Sequence, residues 1–360
     1  MLEISMNFQK LKYVILDEIF KKHIKVDIEN LNFFIDLRSV LSKLYIPSNI
    51  ETFSSLNVSE KYLISSELLN FISHYRHYCY SRLGKYSTFY YFYSDVPECT
   101  LQEIYPDYKK DYYERHFNEV SNYFYINEVV EKNIKILSTI IDYIPHAYFI
   151  NSKHVEPSSF LNHIKDIETS QNVYLSSDEV ILQSVLFNDN NIAMILKGDD
   201  SQIINQDNLI DYYLRKSKKE VKYSFTPNLY LYLLSISGVS KYNIDGIKGY
   251  GPIKTVKLLD KLISEGYLNN INYLNEDMFI NDIKNSNTLN EEQLNIIKRN
   301  YNLLNITKNY NNIKEIDKIK LFDEAIVDRI DAIGVKYINE KYYQKYPIYL
   351  DYLMEGEAYE

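Results

Sequence analysis

Short apolar runs alternate with stretches of helical periodicity through the first 215 residues. FFIDL (33–37), FYYFYSDV (89–96), HAYFI (146–150) and IAMILKGDD (192–200) each have the length and continuous apolar character of a buried strand. In three of these runs an acid follows the apolar residues: Asp36, Asp95, and Asp199 with Asp200. Strands that alternate with helices predict an α/β fold, with a mostly parallel sheet flanked by helices. In such sheets ligand sites lie beyond the carboxyl ends of the strands.

The other apolar positions recur mainly at helical spacing, and from residue 216 onward the pattern predicts only helices. Acids near the start of SSDEVILQSVLFN favour a helix there, because they complement the helix dipole. The predicted helices include residues 8–30, 60–83, 136–144 and 176–188, with 100–135 mostly helical. The chain is expected to divide into an N-terminal helix, an α/β domain, a helical lobe and a helical C-terminal extension, at residues 1–30, 31–215, 216–300 and 301–360.

The composition changes this picture in two respects. The chain has 37 Tyr, 16 Phe and no Trp, so we expect tyrosine rings to fill core positions that Leu or Val occupy in other proteins. The formal net charge of −9 means that contacts with nucleic acid would have to come from local clusters of lysine. The abundance of Asn, Ile, Lys and Tyr indicates an AT-rich coding sequence, as in a phage, a virus or an AT-rich bacterium.

Several classes of protein are disfavoured by the sequence. The two cysteines have no CxxC spacing and the seven histidines show no metal-ligand spacing, so neither a disulfide framework nor a zinc site is expected. No run approaches 18 uncharged apolar residues, and the N-terminus lacks the pattern of a signal peptide. We therefore expect a protein of the cytoplasm, that of the host cell if its origin is viral, with no membrane contact.

GIKGYGPIKTVKLL (246–259) is typical of a helix–hairpin–helix. Gly249 and Gly251 are expected to allow the tight turn, where a side chain would clash or require a forbidden dihedral. Pro252 suits the first turn of the next helix. Free N–H groups at that helix start form a site for a phosphodiester, which is bound without reading base sequence. An ordinary glycine turn between helices is the alternative. The predicted DNA-binding residues are Lys248, Gly249, Gly251, Lys254, Thr255 and Lys257, and RKSKKEVK (215–222) supplies more cations nearby.

Upstream of this hairpin, a series of motifs resembles the 5′-nuclease family of flap endonucleases and phage or polymerase-associated 5′–3′ exonucleases. FTPNLYLYLLSISGVSKYNIDGIKGYGPIKT (225–255) is similar to the helix–three-turn–helix of that family. Four further segments are similar to its acidic motifs and arch, in the family's order: IDLRSVL (35–41), FYYFYSDVPECTLQEIYPDYKKDYYERH (89–116), LSSDEVILQSV (175–185) and MILKGDDSQIINQ (194–206). The resemblance covers about residues 31–270. It implies a PIN-like fold with an arch at about 97–130.

The resemblance also implies the chemistry of the site. Members of this family use two divalent ions, about 4 Å apart, which bind the scissile phosphate and activate water. Ions such as Mg²⁺ prefer oxygen ligands, which explains a cluster of carboxylates. The implied metal ligands are Asp36, Asp95, Asp178, Glu179, Asp199 and Asp200, with Mg or Mn as the cofactor and K as a candidate ion at the hairpin. Lys109 and Arg115 take the catalytic positions of the arch.

The sequence departs from the family pattern at several of these positions. Ser176 stands where the family has a Glu, and Ser201 stands where it has the second Asp of a Gly-Asp-x-Asp strand end. Val239 and Tyr242 replace both acids of the Gly-Asp-x-x-Asp run. The arch arginine falls on Tyr112, with Arg115 about one helical turn further on. One ion site is therefore expected to be plausible, and the second has lost most of its ligands.

Three functions are compatible with this pattern. The favoured one is a DNA-binding relative with lost or reduced catalysis, which would act as an accessory component of viral or phage DNA replication, repair or transcription. The alternative is an active Mg- or Mn-dependent nuclease that removes flaps or primers. The third is a scaffold whose tyrosine-rich segments bind protein. The expected partners are DNA with a single-strand/duplex junction and proteins of a replication or transcription assembly.

Overall fold

The fold is taken from a computed structural model. It describes residues 23–25, 27–28, 30–37, 39, 79, 84, 86–94, 100–117, 141, 146–152, 161, 170–176, 178–195, 202–215, 221–268 and 276–306. The strands are β1 (Asn30–Asp36), β2 (Tyr86–Ser94), β3 (Ala147–Ser152), β4 (Ser170–Ser176), β5 (Ile192–Ile195), β6 (Gln202–Ile204), β7 (Gly238–Val239) and β8 (Ile244–Asp245). The α-helices are α1 (Thr100–Ile104), α2 (Lys110–Phe117), α3 (Leu209–Leu214), α4 (Tyr230–Ser237), α5 (Pro252–Ser264), α6 (Glu276–Asn285) and α7 (Glu291–Leu304).

The main sheet has six strands in the order β3-β2-β1-β4-β5-β6, and only β6 runs antiparallel to its neighbour. The prediction of a mostly parallel α/β sheet flanked by helices is therefore confirmed. β1 lies between β2 and β4, and its last six residues are all buried. A strand buried on both faces has a continuous apolar sequence, which explains why this run could be recognised. The carboxyl end of β1 is thus next to the ends of both neighbouring strands.

The central strand β4 is absent from the sequence prediction, because its sequence SQNVYLS is mostly polar. All seven residues are nevertheless buried, and hydrogen bonds satisfy the side chains of Gln171, Asn172 and Ser176. The Asn32 amide donates to Asn172 Oδ1 (2.9 Å), and the Asn172 amide donates to Asn191 Oδ1 (3.0 Å). Gln171 donates to the carbonyl of His23 at 2.7 Å. Buried amides with partners of good geometry are stable in a core, although they hide the strand from a hydropathy pattern.

Other boundaries differ from the predicted ones. Residues 176–188 are not an α-helix: a 3₁₀ helix spans Glu179–Leu186. The predicted helix over 8–30 does not reach its expected end, because the described residues from 23 to 28 are irregular and β1 begins at Asn30. The remainder of that helix, and almost all of those over 60–83 and 136–144, lies outside the described residues. The prediction of helices alone beyond residue 216 is also wrong, since β7 and β8 pair there.

An aromatic row crosses four strands of the sheet. Tyr148, Tyr90, Phe34 and Tyr174 lie on β3, β2, β1 and β4 in mutual register. Their rings stack with centroid separations of 5.2 Å, 4.9 Å and 4.9 Å along the row. Cross-strand aromatic pairs stabilise a sheet and fix its register. The expectation that tyrosine serves as a core residue is borne out here.

The helical lobe packs against the sheet through one continuous core. That core joins Phe34 and Tyr174 of the sheet to Leu233 of α4 and Ile297 of α7. Helix α7 runs past residue 300, where the predicted lobe ends, and Ile306 beyond it is also buried. In the described part of the chain, no helix is both long and apolar enough to cross a membrane.

The aromatic row gives a test of the fold. Replacing Phe34, which is fully buried, in Phe34→Ala removes the ring between Tyr90 and Tyr174. We expect a loss of roughly 3–5 kcal/mol in the free energy of unfolding, as for other buried Phe→Ala changes. Urea denaturation followed by circular dichroism measures it. Tyr267→Ala is the control, since Tyr267 is 40% exposed and its loss should change little. Equal effects of the two substitutions would contradict this role of the row.

Candidate functional site

Asp36, at the carboxyl end of β1, is buried and accepts hydrogen bonds from two serines. Ser176, at the end of the neighbouring strand β4, donates its hydroxyl to Asp36 Oδ2 at 2.7 Å. Ser39 donates its backbone N–H to Asp36 Oδ1 at 3.1 Å and its hydroxyl to Oδ2. The pairing of β1 with β4 brings Ser176 to this place. Both oxygens of the carboxylate therefore have donors from the protein.

Asp178 is the second carboxylate of this group. It caps the 3₁₀ helix Glu179–Leu186, because its Oδ1 accepts from the N–H of Val180 at 2.9 Å. Its other oxygen, Oδ2, accepts the hydroxyl of Tyr242. The Asp178 N–H donates to Ser176 Oγ at 3.0 Å. Ser176 thus bridges the two acids, and Ser176 and Tyr242 are two of the residues that depart from the family pattern.

Lys109 is held beside Tyr242. Its ammonium lies 4.3 Å from the centroid of the Tyr242 ring, within cation–π range, and its N–H donates to the Tyr242 carbonyl at 2.8 Å. Tyr108 meets the same ring edge-on at 5.6 Å. Asn243 then accepts from the N–H of Asp111 at 3.1 Å. The base of the predicted arch is therefore docked on the segment that enters the hairpin.

Other predicted ligands are elsewhere or undescribed. The Glu179 carboxylate is 3.4 Å from the guanidinium of Arg215, and both side chains are about three-quarters covered. Arg115 belongs to α2, but its side chain lies outside the described part of the chain. Asp95, Asp199 and Asp200 lie outside it as well. The structure therefore brings together Asp36, Asp178 and Lys109 from the predicted set.

The described acids, taken alone, fit a divalent ion poorly. Within the described residues no group of three or more His, Cys, Asp or Glu side chains could hold a metal. Asp36 and Asp178 already accept hydrogen bonds from hydroxyl and amide groups, which an ion would have to displace. Mg²⁺ and Mn²⁺ prefer carboxylate and carbonyl oxygens and water. Ser176 and Tyr242 instead supply neutral hydroxyls that donate to the acids.

The predicted hairpin has a tight turn followed by a helix start. Gly249 has φ of +84°, which favours glycine, and the Tyr250 N–H closes the turn on the Ile247 carbonyl at 2.9 Å. Helix α5 begins at Pro252, as predicted. The lysines of the predicted set, Lys248, Lys254 and Lys257, are all exposed. The exposed lysines thus lie in the turn and in the first two turns of α5.

Two expectations about this hairpin need revision. Gly251 has ordinary extended dihedrals (φ −75°, ψ 177°), and a Cβ there would meet nothing within 4 Å. Neither a clash nor a forbidden dihedral explains a glycine at that position. Thr255 is fully buried, and its hydroxyl donates to the Tyr250 carbonyl at 3.2 Å. Its hydroxyl therefore stabilises the turn from inside.

A cavity of about 520 Å³ lies beside the hairpin. Tyr212, Tyr213 and Tyr230 contribute to its wall together with Glu179. Burial raises the pKa of Tyr212 to about 12, although the adjacent Arg215 opposes this rise. Burial also holds the pKa of Tyr213 and of Tyr230 well above the usual range. The three phenols are therefore neutral at physiological pH.

Sequence reasoning missed several residues that build these sites. Ser39 follows Asp36 by three residues, a spacing at which an Asp side chain commonly caps a helix start, so a local signal existed. Arg215 was identified only as part of the cationic run 215–222, which gives no indication of its pairing to Glu179. Asn243 has φ of +57°, a conformation that Asn tolerates, and was not singled out. The partners of Arg215 and Asn243 come from segments far away along the chain.

No protein-family model matches the sequence, and no curated protein matches it either. Solved structures from bacteriophage T5 do match, each at 13% sequence identity and over 87% of this chain. One is a flap endonuclease variant in a pseudo-enzyme–product complex with DNA and metal ions, with a TM-score of 0.51 over 98% of its chain. Another is the 5′-exonuclease with divalent zinc bound, with a TM-score of 0.51 over 99%. A third, crystallised with metal ions, has a TM-score of 0.54 over 99%. The chain therefore has the PIN-like fold of 5′-nucleases.

The hydrogen bond between Tyr242 and Asp178 can be tested by Tyr242→Phe, which removes only the hydroxyl. We expect a loss of roughly 1–3 kcal/mol in the free energy of unfolding, because a partly buried carboxylate loses a donor. Urea denaturation measures the loss, with the exposed Tyr267 changed in Tyr267→Phe as the control. Indistinguishable stabilities of these two variants would mean that the contact contributes nothing.

Proposed function

We propose that this chain is a DNA-binding protein of 5′-nuclease fold with lost or reduced catalysis, which acts as an accessory component in viral or phage DNA replication, repair or transcription. The observation that carries the proposal is the hydrogen bonding of Asp36 and Asp178 to the hydroxyls of Ser176 and Tyr242. Both hydroxyls stand at positions where the sequence resemblance places acidic metal ligands. The two surviving acids are thus stabilised by the protein itself.

The electrostatics of the acids support this proposal. Neighbouring carboxylates repel each other unless a cation or hydrogen-bond donors compensate their charge. In metal-dependent sites the ions supply that compensation, whereas here hydroxyl and amide donors supply it. The ammonium of Lys109, close to Tyr242, adds positive charge at the same end of the sheet. The protein itself therefore compensates the acid pair, without a divalent ion.

The hairpin supports binding to DNA. Exposed Lys248, Lys254 and Lys257 surround the start of α5, where backbone N–H groups can receive a phosphate. Such contacts hold the backbone of a duplex without reading its bases. A solved structure with the same fold is a complex with DNA. The proposed partner is DNA with a single-strand/duplex junction, in an assembly with other proteins in the cytoplasm of the host cell.

An active nuclease is the second candidate, and the position of Lys109 favours it. This lysine lies beside a residue that contacts Asp178, which places a cation near the acids, as phosphate chemistry requires. Two solved structures of the same fold contain divalent zinc or other metal ions. In this candidate Asp95, Asp199 and Asp200 would complete the ligands of an Mg or Mn ion, while Arg115 would assist Lys109. A potassium ion at the hairpin would belong to either candidate.

The response to metal ions tests this proposal. The protein should bind a labelled 5′-flap duplex equally well in Mg²⁺, Mn²⁺ and EDTA, with no cleavage or only slow cleavage, since the acids are already satisfied. Gel-shift binding and cleavage are followed in the same samples. Rapid metal-dependent cleavage that disappears in Asp36→Asn would establish the active nuclease instead. Absence of DNA binding would favour the third function, a scaffold whose tyrosine-rich segments bind protein.

A double substitution that introduces acidic side chains at the site provides a further test of the proposal. Ser176→Glu combined with Tyr242→Asp replaces both hydroxyl donors by carboxylates, which should raise Mn²⁺ affinity by at least about tenfold, since hard cations bind anionic oxygen. Calorimetry measures the affinity, and circular dichroism confirms folding. Addition of Asp36→Asn to this variant should remove the gain. Tight Mn²⁺ binding by the unmodified protein would contradict the proposal.

The hairpin lysines provide a separate test of the proposed binding to DNA. Lys248→Ala and Lys254→Ala should each weaken duplex binding and reduce the slope of log K against log salt by about 1, because each removes one phosphate contact. Lys261→Ala is the matched control: Lys261 lies on the same helix α5 but pairs with Glu265 at 3.6 Å. Slopes that are equal in all three variants would exclude the hairpin as the phosphate site.

A further inference from the structure

The cavity beside the hairpin has the size and the lining of a small-molecule site. Its volume of about 520 Å³ falls within the range of ligand pockets, roughly 300–1,000 Å³. Residues of the 3₁₀ helix Glu179–Leu186, α3, α4, the β7 region and the hairpin all contribute to it. The cavity is therefore bounded by elements that the core holds in fixed positions. It was not apparent in the sequence, because its residues come from separate segments.

Its aromatic wall offers ring surface and few competing hydroxyls. The Tyr230 hydroxyl donates to the Glu179 carbonyl at 3.2 Å, and the Tyr213 hydroxyl donates to the Leu233 carbonyl at 3.3 Å. The guanidinium of Arg215 stacks on the ring of Tyr212, 3.1 Å from its centroid. Planar aromatic rings are surfaces on which nucleobases stack.

Glu179 provides polar recognition at the same wall, and its partner Arg215 lies outside the lining of the cavity. The Glu179 carboxylate accepts hydrogen bonds, one of them from the Arg215 guanidinium at 3.4 Å. The exocyclic amine of a nucleobase edge donates bonds of this kind. The Glu179 side chain is 26% exposed, so a ligand can reach its carboxylate.

The rim of the cavity is the proposed phosphate-binding surface. Gly249, Gly251 and Lys254 of the hairpin line the cavity, as does Lys241. The Lys254 ammonium lies 3.9 Å from the point that a Cβ on Gly249 would occupy. A phosphate on the hairpin would therefore lie next to an aromatic cavity, which is the juxtaposition that a nucleotide matches.

We propose that this cavity receives the base of a single unstacked nucleotide whose phosphate is bound by the hairpin. The inference rests on the proposed function in so far as the hairpin binds phosphate. The nucleotide has two sources: an unpaired residue at a DNA junction, or a free mononucleotide. In the first case the protein holds a junction by a base as well as by its backbone.

The DNA source is tested with two duplexes that carry one unpaired residue at a junction, either cytidine or an abasic residue. The base should tighten binding by about fivefold or more, in line with one stacked base. Ser240→Trp, which fills the exposed mouth of the cavity, should abolish the difference. Ser264→Trp, at an exposed position on α5 outside the cavity, should preserve it. Circular dichroism confirms that both variants fold.

Binding of a free mononucleotide is tested by calorimetry with deoxycytidine monophosphate. Binding that Ser240→Trp removes and Ser264→Trp retains would support the cavity as a mononucleotide site, even if the two duplexes bind alike. The proposal is overturned if base and abasic duplexes bind equally and the mononucleotide does not bind. If a duplex still binds in that case and Lys254→Ala weakens the binding, the hairpin retains its proposed function. A duplex that does not bind at all shows that the proposed function has failed separately.

Discussion

The contact between the Tyr242 hydroxyl and the Asp178 carboxylate connects the parts on which the candidate site depends. Asp178 caps the 3₁₀ helix that follows β4, and through Ser176 it is linked to Asp36 at the end of β1. Tyr242 belongs to the segment that enters the hairpin, and its ring and carbonyl hold Lys109. A single phenol therefore ties the sheet end, the base of the arch and the lobe together. A carboxylate at position 242 would repel Asp178, and only a cation between them could restore the connection.

The sheet that supports this contact is positioned by two kinds of cross-strand interaction. The aromatic row through Phe34 fixes which residues face each other on four strands, while the buried amides of Asn32, Asn172 and Asn191 connect β1 to β4 and to the start of β5. A shift of register by one residue would separate both sets, because side chains alternate between the two faces of a strand. The end of β4 is therefore fixed relative to β1, and with it the position of Ser176.

The sequence predicted those features that depend on local patterns. β1, β2, β3 and β5 were found because buried parallel strands are continuous in apolar residues, and α5 was found because Pro252 marks its first turn. β4 was missed because its polar residues Gln171 and Asn172 are buried. The groups that form hydrogen bonds with them lie far away in the chain. Ser176 and Tyr242 were identified in the sequence as departures from the family that it resembles, but their hydrogen bonds to Asp36 and Asp178 depend on strand pairing and on docking of the lobe. The pairing of Glu179 with Arg215 had no local signal for the same reason.

The two halves of the candidate site respond differently to a change of sequence. A phosphate site at a helix start uses backbone N–H groups and nearby lysines, so it needs a turn such as that at Gly249 and no acidic side chains. A divalent-ion site needs several acids at defined distances, and loss of two of them leaves the remaining carboxylates uncompensated. We propose that Ser176 and Tyr242 supply such compensation as neutral donors, at positions where the sequence resemblance expects acids. Neutral donors stabilise the acids without an ion but are poor ligands for one, so stability without an ion and affinity for an ion oppose each other at these positions. The proposed phosphate site at the hairpin contains neither residue, so the proposed binding to DNA does not require a divalent ion.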